Sequence, residues 1–217
     1  MTVLIEDPPT GVERVGRAAA GPGGSRTKRC LDFVVALALL LFFAPLLATI
    51  AAAVRTSSAG PVLFRQRRTG LDGRPFQILK FRTMTVMEDG AVVAASKDDQ
   101  RVTRIGAVLR RTSLDELPQL WNVVKGDMSL VGPRPHALSH DELFGALDPD
   151  YRRRFRTRPG MTGLAQVTGF RGEVRGREDL TGRVEADLRY ILTWSPALDL
   201  RILAATARIM WSDEKAY

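Results

Sequence analysis

A single cysteine, Cys30, rules out an internal disulfide framework. Histidine is nearly as scarce: His136 and His140 are the only two, and no third ligand lies near them in the chain. A Cys/His metal cluster is therefore excluded, and the pair reads as solvated loop or helix surface. Acidic residues are in deficit, 24 against 32 lysines and arginines, for a net charge of +8. An excess of that size calls for an anionic partner: nucleic acid, an acidic membrane surface or a phosphorylated substrate. No aromatic-basic stacking motif or recognition-helix pattern accompanies the charge, which argues against nucleic acid. Internal repeats are lacking. So is an early apolar region with a small-residue cleavage site, which argues against a signal peptide. At 217 residues the chain suits one domain with a real core.

Residues 1–27, with "DPPTG" and "GPGGSR", carry no hydrophobic period and read as a disordered leader. Residues 33–54 then hold no charged side chain. A helix of that length rises about 33 Å, enough to cross a bilayer core. Two features oppose a straight span. Pro45 sits near its middle, where it removes a backbone hydrogen bond and bends the helix. Both flanks are basic: Arg26, Lys28 and Arg29 before, and Arg55, Arg65, Arg67 and Arg68 after. A straight span must place one of them outside, against the positive-inside tendency. A helix that breaks at Ala44-Pro45 and returns avoids this. Proline kinks also occur in spanning helices, so both topologies stay open on these residues.

Residues 61–84 read as a hairpin, two β-rich runs around "GLDG", basic throughout and with Lys80 and Arg82 near the end. Residues 88–100 are polar and read as a loop. Beyond it, Ile105, Val108 and Leu109, then Leu117, Leu120 and Trp121, recur at helical spacing until "VGPRP" ends the run in a rigid loop. A helix is expected within 138–156, turns through "RPGMTGLAQVTGFRGE", and two helices over 181–193 and 197–211. Trp194 and Trp211 suit either a membrane interface or the core.

The segment "TSLDELPQLWN" places Asp115 beside Glu116. Ser113 and Glu116 fit a capping box, with Asp115 near the positive end of the helix dipole. Yet five cations, Arg101, Arg104, Arg110, Arg111 and Lys125, crowd the same stretch, and Arg134 and Arg158 lie in Gly/Pro loops. Carboxylates amid cations suit a Mg²⁺-dependent phosphoryl site, in which acids hold the metal or attack phosphorus. Both readings can hold at once, because a helix N-terminus also favours phosphate.

The motifs "KRCLDF", "GPVLFRQRRTGLDGRPFQILKFRTM", "TRIGAVLRRTSLDELPQLWNVVKGDMSLVGPRP" and "RPGMTGLAQVTGFRGE" resemble those of the bacterial sugar transferases, the monotopic phosphoglycosyl transferases. The likeness runs from about Lys28 to the C-terminus. It implies an α+β, mostly α, monotopic membrane protein: residues 28–55 a re-entrant helix broken at Pro45, then a small β-hairpin and amphipathic interfacial helices, with 28–217 as the catalytic domain. It implies transfer of a hexose-1-phosphate from a UDP-sugar to undecaprenyl phosphate with release of UMP, starting an exopolysaccharide or capsule. Mg²⁺ is the implied cofactor, and the cytoplasmic membrane leaflet the implied location. A homodimer is a possible assembly. The family's acid pair falls on Asp115 and Glu116. By that likeness Asp115 forms an aspartyl-phosphosugar, and Glu116 aids the metal or takes a proton. Arg110 matches a phosphate-contacting arginine, and Lys80, Arg134 and Arg158 match positions expected to bind nucleotide sugar or lipid phosphate. The tail resembles the colanic-acid branch, which transfers glucose phosphate, although Phe170 and Val174 depart from that branch's "GWRGET". The chain is similar to that branch's catalytic domain without its multi-span N-terminal region.

Overall fold

A computed structural model of the protein describes residues 21–85, 99–172 and 174–212. Most of the leader and of the polar loop over 88–100, and the side chain of Trp211, lie outside the described residues.

Helix α1 spans Arg26–Phe42 and α2 spans Ala44–Ser57, bent 63° from each other. The helix begins two residues earlier than expected, because Ser25 caps α1 by accepting the Lys28 N–H. Pro45 sits in the first turn of α2, where its missing N–H costs nothing, so the break comes just before it at Phe43. Neither helix alone is long and apolar enough to cross a membrane.

One face of α1 buries Lys28, Asp32 and Ala36, at a helical spacing of four. Two of these are charged, and each is paired. Asp32 accepts from the Ser129 hydroxyl (2.7 Å) and the Leu130 N–H (3.2 Å). The Lys28 Nζ lies 2.7 Å from Asp199, which also accepts from Tyr190 and Trp194. Arg29 donates to the carbonyls of Val123 and Val124 at the end of α4 (Gln119–Lys125). The "KRCLDF" motif therefore bolts the apolar helix pair onto the rest of the protein. Trp194 belongs to the core, as the second of its two readings held.

Strands β1 (Leu63–Thr69) and β2 (Pro75–Phe81) form the expected antiparallel hairpin, with Thr69 opposite Pro75. Its turn puts Asp72 and Gly73 at positive φ, which aspartate tolerates and glycine favours. Asn122 of α4, fully buried, accepts from the Leu79 N–H and donates to the Gln77 carbonyl. It thus serves β2 as a neighbouring strand would.

The run expected to be helical up to "VGPRP" is broken into α3 (Arg104–Arg111), a 3₁₀ turn (Leu114–Glu116), α4 and a strand, β3 (Ser129–Val131). Leu109 and Leu120 are buried, but Val108 and Trp121 stay about half exposed. After α5 (Leu138–Leu147), a 3₁₀ segment covers Tyr151–Arg156. "RPGMTG", expected as turn, supplies β4 (Gly160–Thr162), which pairs in parallel with β3. A side chain on Gly132 or Gly160 would overlap the facing backbone. Short α6 (Leu164–Val167) precedes α7 (Arg177–Thr193) and α8 (Pro196–Ser212).

The main core gathers Ala36, Ile78, Leu120, Val123, Met128 and Tyr190 with their neighbours from α1, β2, α4, β3, α7 and α8. A second cluster joins α2 to β2 and α3 through Ile50, Val54, Phe81 and Leu109. Between them these clusters fix the ends of β2 and α3, and hence the turn that carries the two acids.

Candidate active site

Asp115 and Glu116 sit in the 3₁₀ turn between α3 and α4. The capping box does not form. Ser113 adopts a left-handed conformation (φ 56°), its side chain caps no N–H, and its hydroxyl accepts from Arg171 at 3.1 Å. The left-handed residue reverses the chain after α3, so the acids leave the helix axis and turn toward β2.

The hairpin supplies Lys80 and the loop after β3 supplies Arg134. Lys80 Nζ reaches Glu116 Oε1 at 2.6 Å and Arg134 Nη2 reaches the same oxygen at 2.7 Å, with Arg134 Nη1 at 3.4 Å from Oε2. Burial pushes the Glu116 carboxyl upward, but Arg134 and Lys80 together outweigh it and hold the group below the ordinary carboxylate range. Glu116 is a fixed anion.

Asp115 is different. It is buried and accepts no hydrogen bond among the described residues. Burial pushes it up to about 6, opposed by Lys80 and then reinforced by the adjacent Glu116 charge, with Arg134 and Arg110 pulling down. Arg110, at the end of α3, donates to the Thr83 hydroxyl (3.0 Å) and to Met84 Sδ (3.2 Å), which holds it within the Asp115 field. Of the other crowding cations, Arg101 pairs with Asp99 and Lys125 with Asp127.

The structure thus gathers Asp115, Glu116, Lys80, Arg110 and Arg134. Arg158 does not join them. It donates to the carbonyls of Gly126 (2.9 Å) and Gly23 (3.4 Å), and its charged neighbours include Arg29 and Asp32. Nε and Nη1 brace the backbone where the chain enters α1, apart from the acid pair. Arg82, the other cation near the hairpin's end, is likewise structural, holding the carbonyls of Val54, Ser58 and Pro61.

Two features were not legible as site residues. Arg68 lies in the fields of Arg134 and Glu116, and its only trace in the chain is a basic run, "RQRR". His136 is buried rather than solvated. Arginines meet both ring nitrogens, Arg183 Nη1 at 3.2 Å from Nε2 and Arg154 Nη1 at 3.3 Å from Nδ1. Nδ1 also lies 2.6 Å from the Tyr151 hydroxyl, which in turn donates to Asp141. Arg154 completes the network, paired with Asp187 at 2.7 Å and donating at 2.9 Å to the Arg134 carbonyl. This network backs the loop that presents Arg134. His140 stays exposed, as expected of both histidines.

Among the described residues no three Asp, Glu, His or Cys side chains converge on a metal-sized site. Those residues offer no all-protein cage. The unbonded carboxylate of Asp115 still fits the mode that Mg²⁺ prefers, one or two carboxylates completed by water and substrate phosphates.

Comparison with known proteins identifies the family. The bacterial sugar transferase profile matches residues 24–213. The chain is 53% identical to the UDP-glucose:undecaprenyl-phosphate glucose-1-phosphate transferase of Caulobacter vibrioides, over 88% of this chain and 72% of that protein. It is 46% identical to the protein of the same description in Escherichia coli, over 99% of this chain but 44% of the relative. An exopolysaccharide production protein of Rhizobium leguminosarum is 43% identical, over 82% of this chain and 92% of its own. The chain thus spans less than half of the Escherichia coli relative and nearly all of the Rhizobium one. On a match that covers almost its whole length, the chain belongs to the bacterial sugar transferase family.

Proposed function

We propose that this protein transfers glucose-1-phosphate from UDP-glucose to undecaprenyl phosphate, releases UMP, and thereby starts an exopolysaccharide. One observation carries the reading: a buried, unbonded Asp115 carboxylate beside a Glu116 that two cations lock as an anion. The relatives' names supply the substrates.

An Asp115 oxygen attacks the glucose-bearing phosphorus. The bond from that phosphorus to the bridging oxygen breaks, and UMP leaves with the electron pair. An oxygen of the lipid phosphate then attacks the same phosphorus and expels Asp115, restoring the carboxylate. A covalent intermediate lets two anionic substrates visit one site in turn, which gives ping-pong kinetics. Lys80, Arg134 and Arg110 offset the repulsion between phosphate and carboxylate. Glu116 positions Lys80 and Arg134 and contributes no proton transfer, because its charge is fixed. Asp115 would hold Mg²⁺, which would supply charge neutralisation at the phosphoryl group.

The bent pair α1–α2 acts as a re-entrant hook in the cytoplasmic leaflet. Leu31, Val34, Leu41 and Phe42 are exposed on it, at 50–76% of their full surface. A single-layer anchor of this kind keeps Arg26 and Arg55 on one side and holds the site at headgroup depth. Exposed Leu200 and Met210 on α8 suit the same interface.

The direct test is to incubate purified protein with UDP-glucose, undecaprenyl phosphate and Mg²⁺ and measure UMP. Release should require metal, and donor labelled in the glucose-1-phosphate should leave label on the polypeptide when lipid is withheld. No UMP from any UDP-sugar would remove the reading.

A further inference from the structure

Four cations, Lys80, Arg68, Arg110 and Arg134, share the field of two carboxylates, Asp115 and Glu116. The surplus is sharpest at Arg68. Its side chain is half-buried, and no carboxylate lies within ion-pair distance of it among the described residues. Nη2 donates to the neutral amide of Gln66 at 2.5 Å, Nη1 makes a long contact with the Pro135 carbonyl at 3.4 Å, and Nε is buried with no partner. The nearby acids are already committed. Glu116 is held by Lys80 and Arg134, and Asp141 accepts from Thr69 and from Tyr151. Burial, and then the neighbouring Arg134 charge, lower the Arg68 guanidinium to about 10.

A half-buried cation beside a like charge, with an orphaned donor, is costly unless an anion completes it. The backbone is built to hold it there. Arg68 is paired with Phe76 on β2 and bridged on its other side to Ala137, so the end of β1 is fastened to the loop that carries Arg134. Guanidinium pairs fixed in this way recognise phosphate oxygens through parallel N–H donors.

We infer that Arg68 and Arg134 together clamp a phosphate group of a substrate, with Arg68 donating through the Nε that is otherwise unpartnered. The inference rests on the phosphoryl-transfer reading. It leaves two sources for the phosphate, the diphosphate of the nucleotide sugar and the monoester of the lipid, which share the same oxygen chemistry.

Steady-state UMP release by the full chain separates them. Arg68→Gln should raise KM about tenfold or more for one substrate while leaving the other KM within twofold. A raised KM for UDP-glucose assigns the clamp to the donor, and a raised KM for undecaprenyl phosphate assigns it to the acceptor. A fall in kcat alone, with both KM values unchanged, would make Arg68 a brace of the loop and overturn the inference. Should Arg68→Gln not melt cooperatively, Arg68→Lys decides: it keeps the charge but loses the fork, and normal KM values for both substrates would count equally against the clamp. Inorganic pyrophosphate gives a readout independent of turnover. It should raise the melting temperature of the wild type and not of the Arg68 variant, even if no UMP were ever released. Equal shifts in the two proteins would overturn the clamp.

Discussion

Asp115 and Glu116 are neighbours in one 3₁₀ turn, yet Glu116 shares a single oxygen between Lys80 and Arg134 at 2.6 and 2.7 Å while Asp115 accepts no hydrogen bond among the described residues. Successive residues in a tight helical turn point in different directions. One carboxylate therefore meets the cations of β2 and of the Arg134 loop, and the other is left without a hydrogen bond among the described residues.

Removing the Asp115 nucleophile separates chemistry from folding. Asp115→Asn should lower UMP release about a thousandfold or more and abolish covalent labelling by donor. It should also melt no lower than the wild type, because a buried carboxylate raised to about 6 gives way to a neutral amide of similar size. Full turnover by this variant would eliminate the aspartyl intermediate.

Glu116→Gln tests the positioning role. It leaves Lys80 and Arg134 side by side without their shared anion, so stability should fall by about 2 kcal/mol, less than for a fully buried pair because these groups keep some solvent contact. Turnover should fall about a hundredfold. Added sulfate should recover part of the lost melting temperature by occupying the vacated cation pair, and an unchanged melting curve would contradict the arrangement.

The His136 ring lies in a buried network where burial, and then Arg154 and Arg183, depress its pKa well below 6.5. The unfolded chain takes up a proton near pH 6.5 that the folded protein refuses. The stability contributed by neutral His136 is thus fully present above that pH and is lost as pH falls, by up to about 1.4 kcal/mol per unit. Burial raises Asp115, Asp141 and Asp187, which gives the opposite slope. Comparing wild type with His136→Asn isolates the histidine: the stability difference between them should shrink from pH 7.5 to 5.5 in denaturant titrations. A difference that stayed constant would show that His136 titrates normally.

Arg154 and Asp187, both 2% exposed in their side chains, form the most enclosed ion pair among the described residues. Asp187→Asn strands the guanidinium and should cost about 3–5 kcal/mol. Because Arg154 also holds the Arg134 carbonyl, surviving protein should show a raised donor or acceptor KM. Wild-type stability in this variant would rule out the pair as a support.

Topology has its own test. With Cys30 replaced by serine, a cysteine introduced at Thr10 should resist a membrane-impermeant thiol reagent applied to intact cells, and react once they are lysed. Labelling from outside would replace the re-entrant hook with a span.

Much of this was legible along the chain. The hairpin and its "GLDG" turn followed from alternation and turn chemistry, and the break at Pro45 from the missing N–H. The acid pair, Lys80 and Arg134 came from motif resemblance. The run before "VGPRP" misled because apolar spacing alone does not register a left-handed Ser113, which suppresses the capping box and divides one expected helix in two. His136 misled for a related reason: polarity suggests solvent, while here other side chains meet both ring nitrogens.

Local patterns depend on neighbours a few residues away, so the sequence by itself determined the hairpin, the closing helices, the break in the apolar helix and the inventory of acids and cations. Which cation meets which acid depends on contacts across tens of residues: Lys80 with Glu116 across 36, Arg134 with Glu116 across 18, Arg68 with Ala137 from the far side of the hairpin. Only the packed tertiary structure decided that Glu116 is held as an anion and Asp115 left without a hydrogen bond, because a carboxylate's state is set by burial and by charges brought close in space, not by its neighbours in the chain.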